Sequence, residues 1–152
     1  MASNRHLGRM IALQTLYEYE FRVQAGDKWA ESSEILKRNL ERYKSSVGDI
    51  KFIQQLVDGV IKHQDDLDSK LTPLAPEWPI DQIARIDRSV LRLGLYELLH
   101  SQGKVPHKVA INEAVELAKS FGSDNSGKFI NGVLGTAYRT LVEDSANEDT
   151  KS

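Results

Sequence analysis

The sequence predicts an all-α protein made of two three-helix bundles packed together. Apolar residues recur every three or four positions along most of the chain, which is the spacing of one helix face, and no stretch alternates as a strand would. Three of the four prolines lie in the segment TPLAPEWP at residues 72–79, through which no helix can run. We therefore expect a three-helix subdomain at residues 1–71 and another at residues 80–142. Short loops and the proline-rich joint at 72–79 would connect the helices.

Three helices are predicted in the N-terminal half. The first ends at or just before Gly26 and the second is shorter. Asp49 is placed to cap the third, whose apolar stripe runs from Ile50 to Leu71. The apolar positions of the first two helices are Ile11, Leu13, Leu16, Tyr17 and Phe21, then Ile35, Leu36, Leu40 and Tyr43.

The C-terminal half opens with a helix that is apolar on much of its circumference, between Ile83 and Leu98. Such a helix is buried on several sides, so we expect it to be central. Gly103 ends it, Pro106 opens the approach to the next helix, and Gly122 caps that helix at its C-terminus. The last helix runs from about Phe129 to Leu141, and the polar residues 143–152 are expected to form a disordered tail.

A short pattern occurs once in each half. Arg9, Ile11 and the tripeptide LYE at 16–18 are matched by Arg88, Val90 and LYE at 95–97. Duplication of a three-helix unit would produce this pattern. Chance would too, because LYE is common on amphipathic helices.

The composition excludes several classes of protein. The 152-residue chain has no cysteine, which excludes disulfide frameworks, zinc-thiolate sites and cysteine nucleophiles. It has neither a membrane-length apolar run nor the apolar stretch of a signal peptide, so we expect no membrane association and a cytoplasmic location. The four histidines lack metal-ligand spacing, and no reactive constellation stands out. We expect no enzyme activity, no cofactor and no metal.

A net charge of −2 indicates no particular partner, but the N-terminus is locally basic. Arg5 and Arg9 are four residues apart, hence on one helix face, with His6 beside them. Cations at a helix N-terminus oppose the helix dipole, and contacts with phosphates would explain them. A solvated face whose arginines pair with acidic residues is an equally good interpretation.

The segment from Gly122 to Lys128 spells G-x-x-x-x-G-K, the pattern of a nucleotide-binding P-loop. A true P-loop follows a strand and has Ser or Thr after the lysine, whereas here a helix precedes it and Phe129 follows. A nucleoside triphosphatase is therefore not expected. A Gly/Ser loop entering a helix N-terminus, with Lys119 before it and Lys128 after it, could still bind one backbone phosphate. The alternative is a plain connector in which Asp124 or Ser126 caps the last helix.

Phe121 and Phe129 flank this loop. Single-stranded RNA is often bound by stacking its bases on such rings. Because both lie at helix ends with apolar neighbours, packing in the core is the stronger expectation for each.

Most of the chain resembles the NusB family. The resemblance rests on VPHKVAINEAVELAKSFG at 105–122 and GKFINGVL at 127–134. It extends to IDRSVLRLGLYEL at 86–98, and to RHLGR at 5–9 followed by ALQTLY at 12–17. It thins between residues 23 and 49 and after residue 141.

This resemblance implies an RNA-binding antitermination factor without catalytic activity. Family members are two three-helix bundles that bind the boxA element of nascent ribosomal-RNA transcripts together with the ribosomal protein NusE, and so help RNA polymerase read through terminators. Acidic contacts for the basic partner NusE would be Asp81 and Asp87. The RNA-binding residues implied are Arg5, His6, Arg9, Lys119, Ser120, Phe121, Lys128 and Phe129.

Other interpretations are a protein-binding helical module without RNA, the helical domain of a ribosomal-RNA cytosine methyltransferase, and a small enzyme. The chain has no room for a methyl-donor domain, and no residue is nominated as catalytic. Monomer and homodimer are both compatible with the sequence. A homodimer that buried the basic first helix would mask the RNA surface.

Overall fold

The computed structural model describes residues 2–43 and 46–143, without the side chains of residues 2–4, and it is helical with no strand in these ranges. The predicted all-α class is confirmed. Of the predicted tail, all but Glu143 lies outside the described residues. The α-helices of the described ranges are α1 (Ala2–Gln24), α2 (Ser32–Arg42), α3 (Ile50–Lys62), α4 (Gln64–Leu71), α5 (Arg85–His100), α6 (His107–Phe121) and α7 (Ser126–Ala137).

The chain divides into two compact units, Met1–Lys62 and His63–Ser152. The division falls at the end of α3, whereas the expected subdomain boundary lies in the proline-rich joint. The predicted third helix is in fact two helices, α3 and α4, which are separated by a turn at His63. Helix α4 therefore belongs to the C-terminal unit, in which it packs against α5.

In the N-terminal unit, α2 and α3 pack against α1. The local signals predicted for this unit are confirmed. Gly26 follows α1 in the left-handed conformation, with φ of 85°, and Asp49 caps α3 by accepting a hydrogen bond from the Phe52 N–H at 3.0 Å. The apolar core of the unit consists of Ile11, Ala12, Leu13, Leu16, Ile35, Leu36, Ile53, Leu56, Val57 and Val60.

In the C-terminal unit, α5 is central, as predicted, because α4, α6 and α7 all pack on it. A side chain at Gly94 of α5 would place its Cβ 2.6 Å from Leu134 Cδ1, so glycine is needed for the close approach of α7. Gly103, with φ of 80°, follows the end of α5, and Pro106 directly precedes α6.

Two shorter helical types complete this unit. The 3-10 turns Thr72–Leu74 and Ile80–Gln82 lie within or next to the proline-rich segment. Beyond α7 the chain continues as a π-helical turn over Tyr138–Glu143. The rings of Tyr138 and His107 stack with centroids 3.8 Å apart, which ties this turn to the start of α6. Over the ranges described, no helix has the length and hydropathy needed to cross a membrane.

Candidate nucleic-acid interface

The first candidate surface lies at the start of α1. The Arg5 side chain is 41% exposed, and its Nη2 lies 3.9 Å from Oδ2 of Asp49, the cap of α3. The Arg5 guanidinium carbon is 4.4 Å from the centroid of the Phe52 ring, within the range of a cation–π contact. Arg5 can therefore offer its charge to solvent while an aromatic ring supports it.

Arg9 is placed differently although it lies on the same helix face. It is only 2% exposed, and its guanidinium carbon lies 5.2 Å from the Phe52 centroid. His6 is half-buried. Both residues have interaction partners within the protein. Arg9 is thus part of the packed interior in this conformation, and of the two arginines only Arg5 is positioned to meet a phosphate directly.

The second candidate surface consists of residues 119–129, which are the last turn of α6, the connection to α7 and the first turn of α7; we call it the α6–α7 loop. Its organising residue is Ser126, which is 1% exposed. The Ser126 hydroxyl accepts a hydrogen bond from the Ser123 N–H at 2.9 Å and donates one to Asp87 Oδ2 at 3.0 Å. Capping of α7 by Asp124 or Ser126 is wrong, since the cap residue is Asn125 and no side chain caps the helix. Ser126 instead joins the loop to the first turn of α5.

Close contacts, rather than unusual backbone angles, favour glycine at the two glycine positions of the loop. A Cβ on Gly122, the predicted C-terminal cap of α6, would lie 2.5 Å from Ser126 Oγ and 2.8 Å from the Ala118 carbonyl oxygen. A Cβ on Gly127 would lie 3.2 Å from Lys119 Cγ. The Lys119 stem therefore lies along the bare backbone at the start of α7, which directs this lysine across the loop.

The loop exposes cations and an aromatic ring together. Lys119 is 63% exposed, and its only close ionic neighbour among the described contacts is Glu116 at 3.6 Å. Ser120 and Lys128 are exposed. Phe121 is 36% exposed, so the expectation that it packs in the core is wrong, whereas Phe129 is half-buried. The ion pair between Lys119 and Glu116 is exposed and therefore contributes at most about 1 kcal/mol, so a phosphate can compete with Glu116 for Lys119.

The two acidic residues predicted to face a partner differ in their availability. Asp81 is exposed on the 3-10 turn Ile80–Gln82. Asp87 is half-buried, with Oδ2 bonded to Ser126 and Oδ1 shielded from solvent. Asp87 therefore positions the loop, and Asp81 is the carboxylate that an incoming cation can reach.

Sequence reasoning missed two aromatic residues. Phe52 supports Arg5, and nothing in its local sequence distinguishes it from a core residue. Trp78 is 55% exposed, and its position between prolines in PEWP was a usable signal. It borders a cavity of about 410 Å³ whose other lining residues are Gln82, Ile83, Ala84, Asp87, Ser123, Asn125, Ser126 and Phe129.

These features define a class of protein: a helical binding protein whose exposed lysines, arginine and aromatic rings suit phosphates and bases. The G-x-x-x-x-G-K segment lies between two helices, which is not the context of a P-loop. Among the described residues, no cluster of three or more His, Asp or Glu side chains could hold a metal ion.

Comparison with known proteins identifies the family. The model of the NusB family matches residues 6–139, so the chain belongs to the NusB family. The transcription antitermination protein NusB of Dehalococcoides mccartyi strain CBDB1 is 44% identical over 148 residues, covering 97% of this chain and 98% of that protein. The NusB of Chloroflexus aggregans is 44% identical over 151 residues, covering 98% and 97%.

Solved structures agree with this assignment. NusB of T. maritima has a TM-score of 0.77 at 29% identity, covering 90% of this chain and 91% of that one. A chain in the complex of the antitermination factors NusB and NusE with double-stranded RNA has a TM-score of 0.79 at 27% identity, covering 93% and 100%.

Proposed function

We propose that this protein is an RNA-binding transcription antitermination factor. It binds boxA-type single-stranded RNA of nascent ribosomal-RNA transcripts together with the ribosomal protein NusE, and it promotes read-through by RNA polymerase. The observation that carries this proposal is the α6–α7 loop, residues 119–129, which exposes Lys119, Phe121 and Lys128 together. The names of its relatives and the NusB–NusE–RNA complex support it.

The RNA would be held by phosphate contacts and by stacking. Arg5 and the two loop lysines supply charge, and the exposed Phe121 ring supplies a face for a base. Arg9, being buried, would act through the ring that it shares with Arg5. The proposed RNA-binding residues are Arg5, His6 and Arg9 in the N-terminal unit and Lys119, Ser120, Phe121, Lys128 and Phe129 in the C-terminal unit.

The partner surface would lie around Asp81 and Trp78. An exposed carboxylate and an exposed indole, three residues apart in the chain, suit a lysine or arginine side chain of a basic protein. Asp87 would contribute by holding Ser126 and the loop. This role requires binding and no catalysis, and it places the protein in the cytoplasm with the transcription machinery.

Charge reversal on the loop tests the proposal. The double variant Lys119→Glu/Lys128→Glu is compared with Lys104→Glu/Lys108→Glu, which changes the same number of exposed lysines away from the loop. We expect the loop variant to weaken binding of a boxA oligoribonucleotide at least about tenfold, measured by fluorescence anisotropy, because phosphate contacts are lost and repulsion is added. Equal losses in both variants would show an effect of net charge alone and would remove the loop from the RNA surface.

A second arm tests the partnership. Two adjoining weak contacts on one RNA produce much tighter joint binding, so NusE should strengthen RNA binding strongly. If the isolated protein bound boxA RNA as tightly as its mixture with NusE does, the proposal that the two proteins bind the RNA jointly would be wrong.

A further inference from the structure

The side chain of Asp49 makes two contacts that differ in kind. Its Oδ1 accepts the Phe52 N–H at 3.0 Å, which fixes the carboxylate at the start of α3. Its Oδ2 lies 3.9 Å from Arg5 Nη2, and the two side chains are 52% and 41% exposed. The capping contact thus holds a negative charge beside a solvent-facing arginine.

The Phe52 ring lies beneath that arginine. It is 4.4 Å from the guanidinium carbon of Arg5 and 5.2 Å from that of Arg9. Helices α1 and α3 approach closely at Gly8, where a Cβ would lie 3.0 Å from Ile53 Cγ1 and at an ordinary contact distance of 3.7 Å from Phe52 Cδ1. The Phe52 ring therefore lies against α1, next to Gly8 and the two arginines.

An exposed ion pair is weak, so the contact between Asp49 and Arg5 can exchange for an RNA phosphate. A phosphate bound to Arg5 would also meet the charge of Asp49, and the two anions would repel each other. The aromatic ring has the opposite effect, because a guanidinium already held on a ring loses less conformational freedom when it binds.

We propose that Phe52 is a positioning residue for Arg5 in RNA binding and that Asp49 is an internal competitor occupying the place of an RNA phosphate. This inference rests on the proposed function, since it assumes that Arg5 contacts RNA. It assigns roles to Phe52 of α3 and to Asp49, which caps that helix, and neither is among the RNA-binding residues proposed above.

The charge arm of the test uses Asp49→Asn, which keeps a good capping side chain and removes the charge. We expect this variant to bind the boxA oligoribonucleotide about two- to fivefold more tightly at about 50 mM salt, and the gain to shrink at about 200 mM. Asp58→Asn, an equal charge change at an exposed site farther along α3, is the control. Equal gains in the two variants, or no gain in Asp49→Asn, would overturn the competitor role.

The ring arm compares Phe52→Leu with Phe52→Tyr. We expect leucine to weaken RNA binding about two- to fivefold and tyrosine to preserve it, because tyrosine retains the aromatic face. Melting temperatures separate lost binding from lost folding. Unchanged binding by folded Phe52→Leu would overturn the positioning role, as would equal losses in the two variants. If Phe52→Leu does not fold, a loss of RNA binding by folded Phe52→Tyr would overturn the positioning role.

A double-mutant cycle with Arg5→Gln distinguishes failure of this inference from failure of the proposed RNA surface. Asp49→Asn should have no effect on binding when Arg5 is already glutamine, since its influence passes through that arginine. A persisting gain would overturn the competitor role. If Arg5→Gln alone left RNA binding unchanged, the contact of Arg5 with RNA would be wrong, and both roles would fail with it.

Discussion

Ser126 shows how one small side chain can organise a binding loop. Its hydroxyl joins the Ser123 backbone to the Asp87 carboxylate. The other oxygen of Asp87, Oδ1, is shielded from solvent and has no hydrogen-bond partner among the described residues. The hydrogen bond from Ser126 is therefore important for stabilising this carboxylate. The loop that carries Lys119 and Lys128 is thereby tied to α5.

We expect Ser126→Ala to lower the free energy of unfolding by about 1–3 kcal/mol, because a half-buried carboxylate loses its donor. Urea unfolding monitored by circular dichroism measures the change. Ser120→Ala removes a hydroxyl from an exposed neighbouring position and should change the value by less than about 0.5 kcal/mol. Equal stability of the two variants would contradict the tie between the loop and α5.

His100 is a residue through which the stability of the folded protein depends on pH. Its ring stacks on His63 with centroids 4.4 Å apart and on Tyr96 at 5.0 Å. Partial burial, and then the charge of neighbouring His63, lower the pKa of His100 from its ordinary value of 6.5, while Asp66 acts in the opposite direction. The folded protein therefore takes up this proton less readily than the unfolded chain does.

The sign of the resulting pH dependence follows directly. The stabilisation from neutral His100 is present above the unfolded pKa of 6.5 and is lost as the pH falls below it, because only the unfolded chain is then protonated. We expect the free energy of unfolding to decrease between about pH 7.5 and about pH 5.5. His100→Gln should flatten this decrease in matched urea titrations, and an unchanged slope would assign it to other groups.

At the scale of elements, α4 shows how tertiary contacts decide where a helix belongs. Arg92 of α5 holds Asp68 through two hydrogen bonds, from Nε at 2.7 Å and from Nη2 at 2.8 Å. The two side chains are 8% and 21% exposed, so solvent screens the pair only weakly. This ion pair holds α4 against α5, although in the sequence the apolar stripe of α4 continues the stripe of α3.

Removing one partner of a largely buried ion pair is costly. We expect Asp68→Ala to lower the free energy of unfolding by about 3 kcal/mol, because Arg92 loses its bidentate acceptor. The matched control is Asp66→Ala, whose exposed pairing with Lys70 lies on the same helix and should contribute far less to stability, because solvent screens it. A loss for Asp68→Ala no greater than that of the control would show that the ion pair does not hold α4.

The recurring pattern of the two halves has a structural counterpart in α1 and α5. Each helix is contacted by the other helices of its own unit, and each carries a buried arginine, Arg9 at 2% exposure and Arg88 at 6%. The Arg88 Nη1 donates hydrogen bonds to the carbonyl oxygens of Ile80 and Ile83. Duplication and chance both remain compatible with this similarity.

For the whole molecule, a net charge of −2 means that RNA binding must depend on local cations. The exposed candidates are Arg5, Lys119 and Lys128, which allow about three phosphate contacts. We expect the logarithm of the RNA-binding constant to fall with the logarithm of salt concentration with a slope of roughly −2 for single-stranded RNA. Adding NusE should steepen it, since a basic partner adds contacts. A slope near zero would exclude phosphate contacts as the main source of binding.

Much of the fold could be predicted because its signals are local. Helical periodicity, the glycine after α1, the aspartate before α3 and the apolar circumference of α5 each act within a few residues. The cations and aromatics of the loop were also visible in the sequence. Their exposure was not, as Phe121 demonstrates, because spacing identifies a helix end without showing what covers it.

The sequence by itself determined the helical class, most helix ends and the residue types of the candidate RNA surface, because these depend on periodicity and short-range chemistry. The tertiary structure decided the break at His63, the assignment of α4 to α5, the burial of Arg9 beside an exposed Arg5 and the use of Ser126 as a tie. Each of these depends on a partner distant in the chain, such as Arg92, Phe52 or Asp87. Helical spacing specifies which residues share a face, and only packing specifies which part of that face meets water.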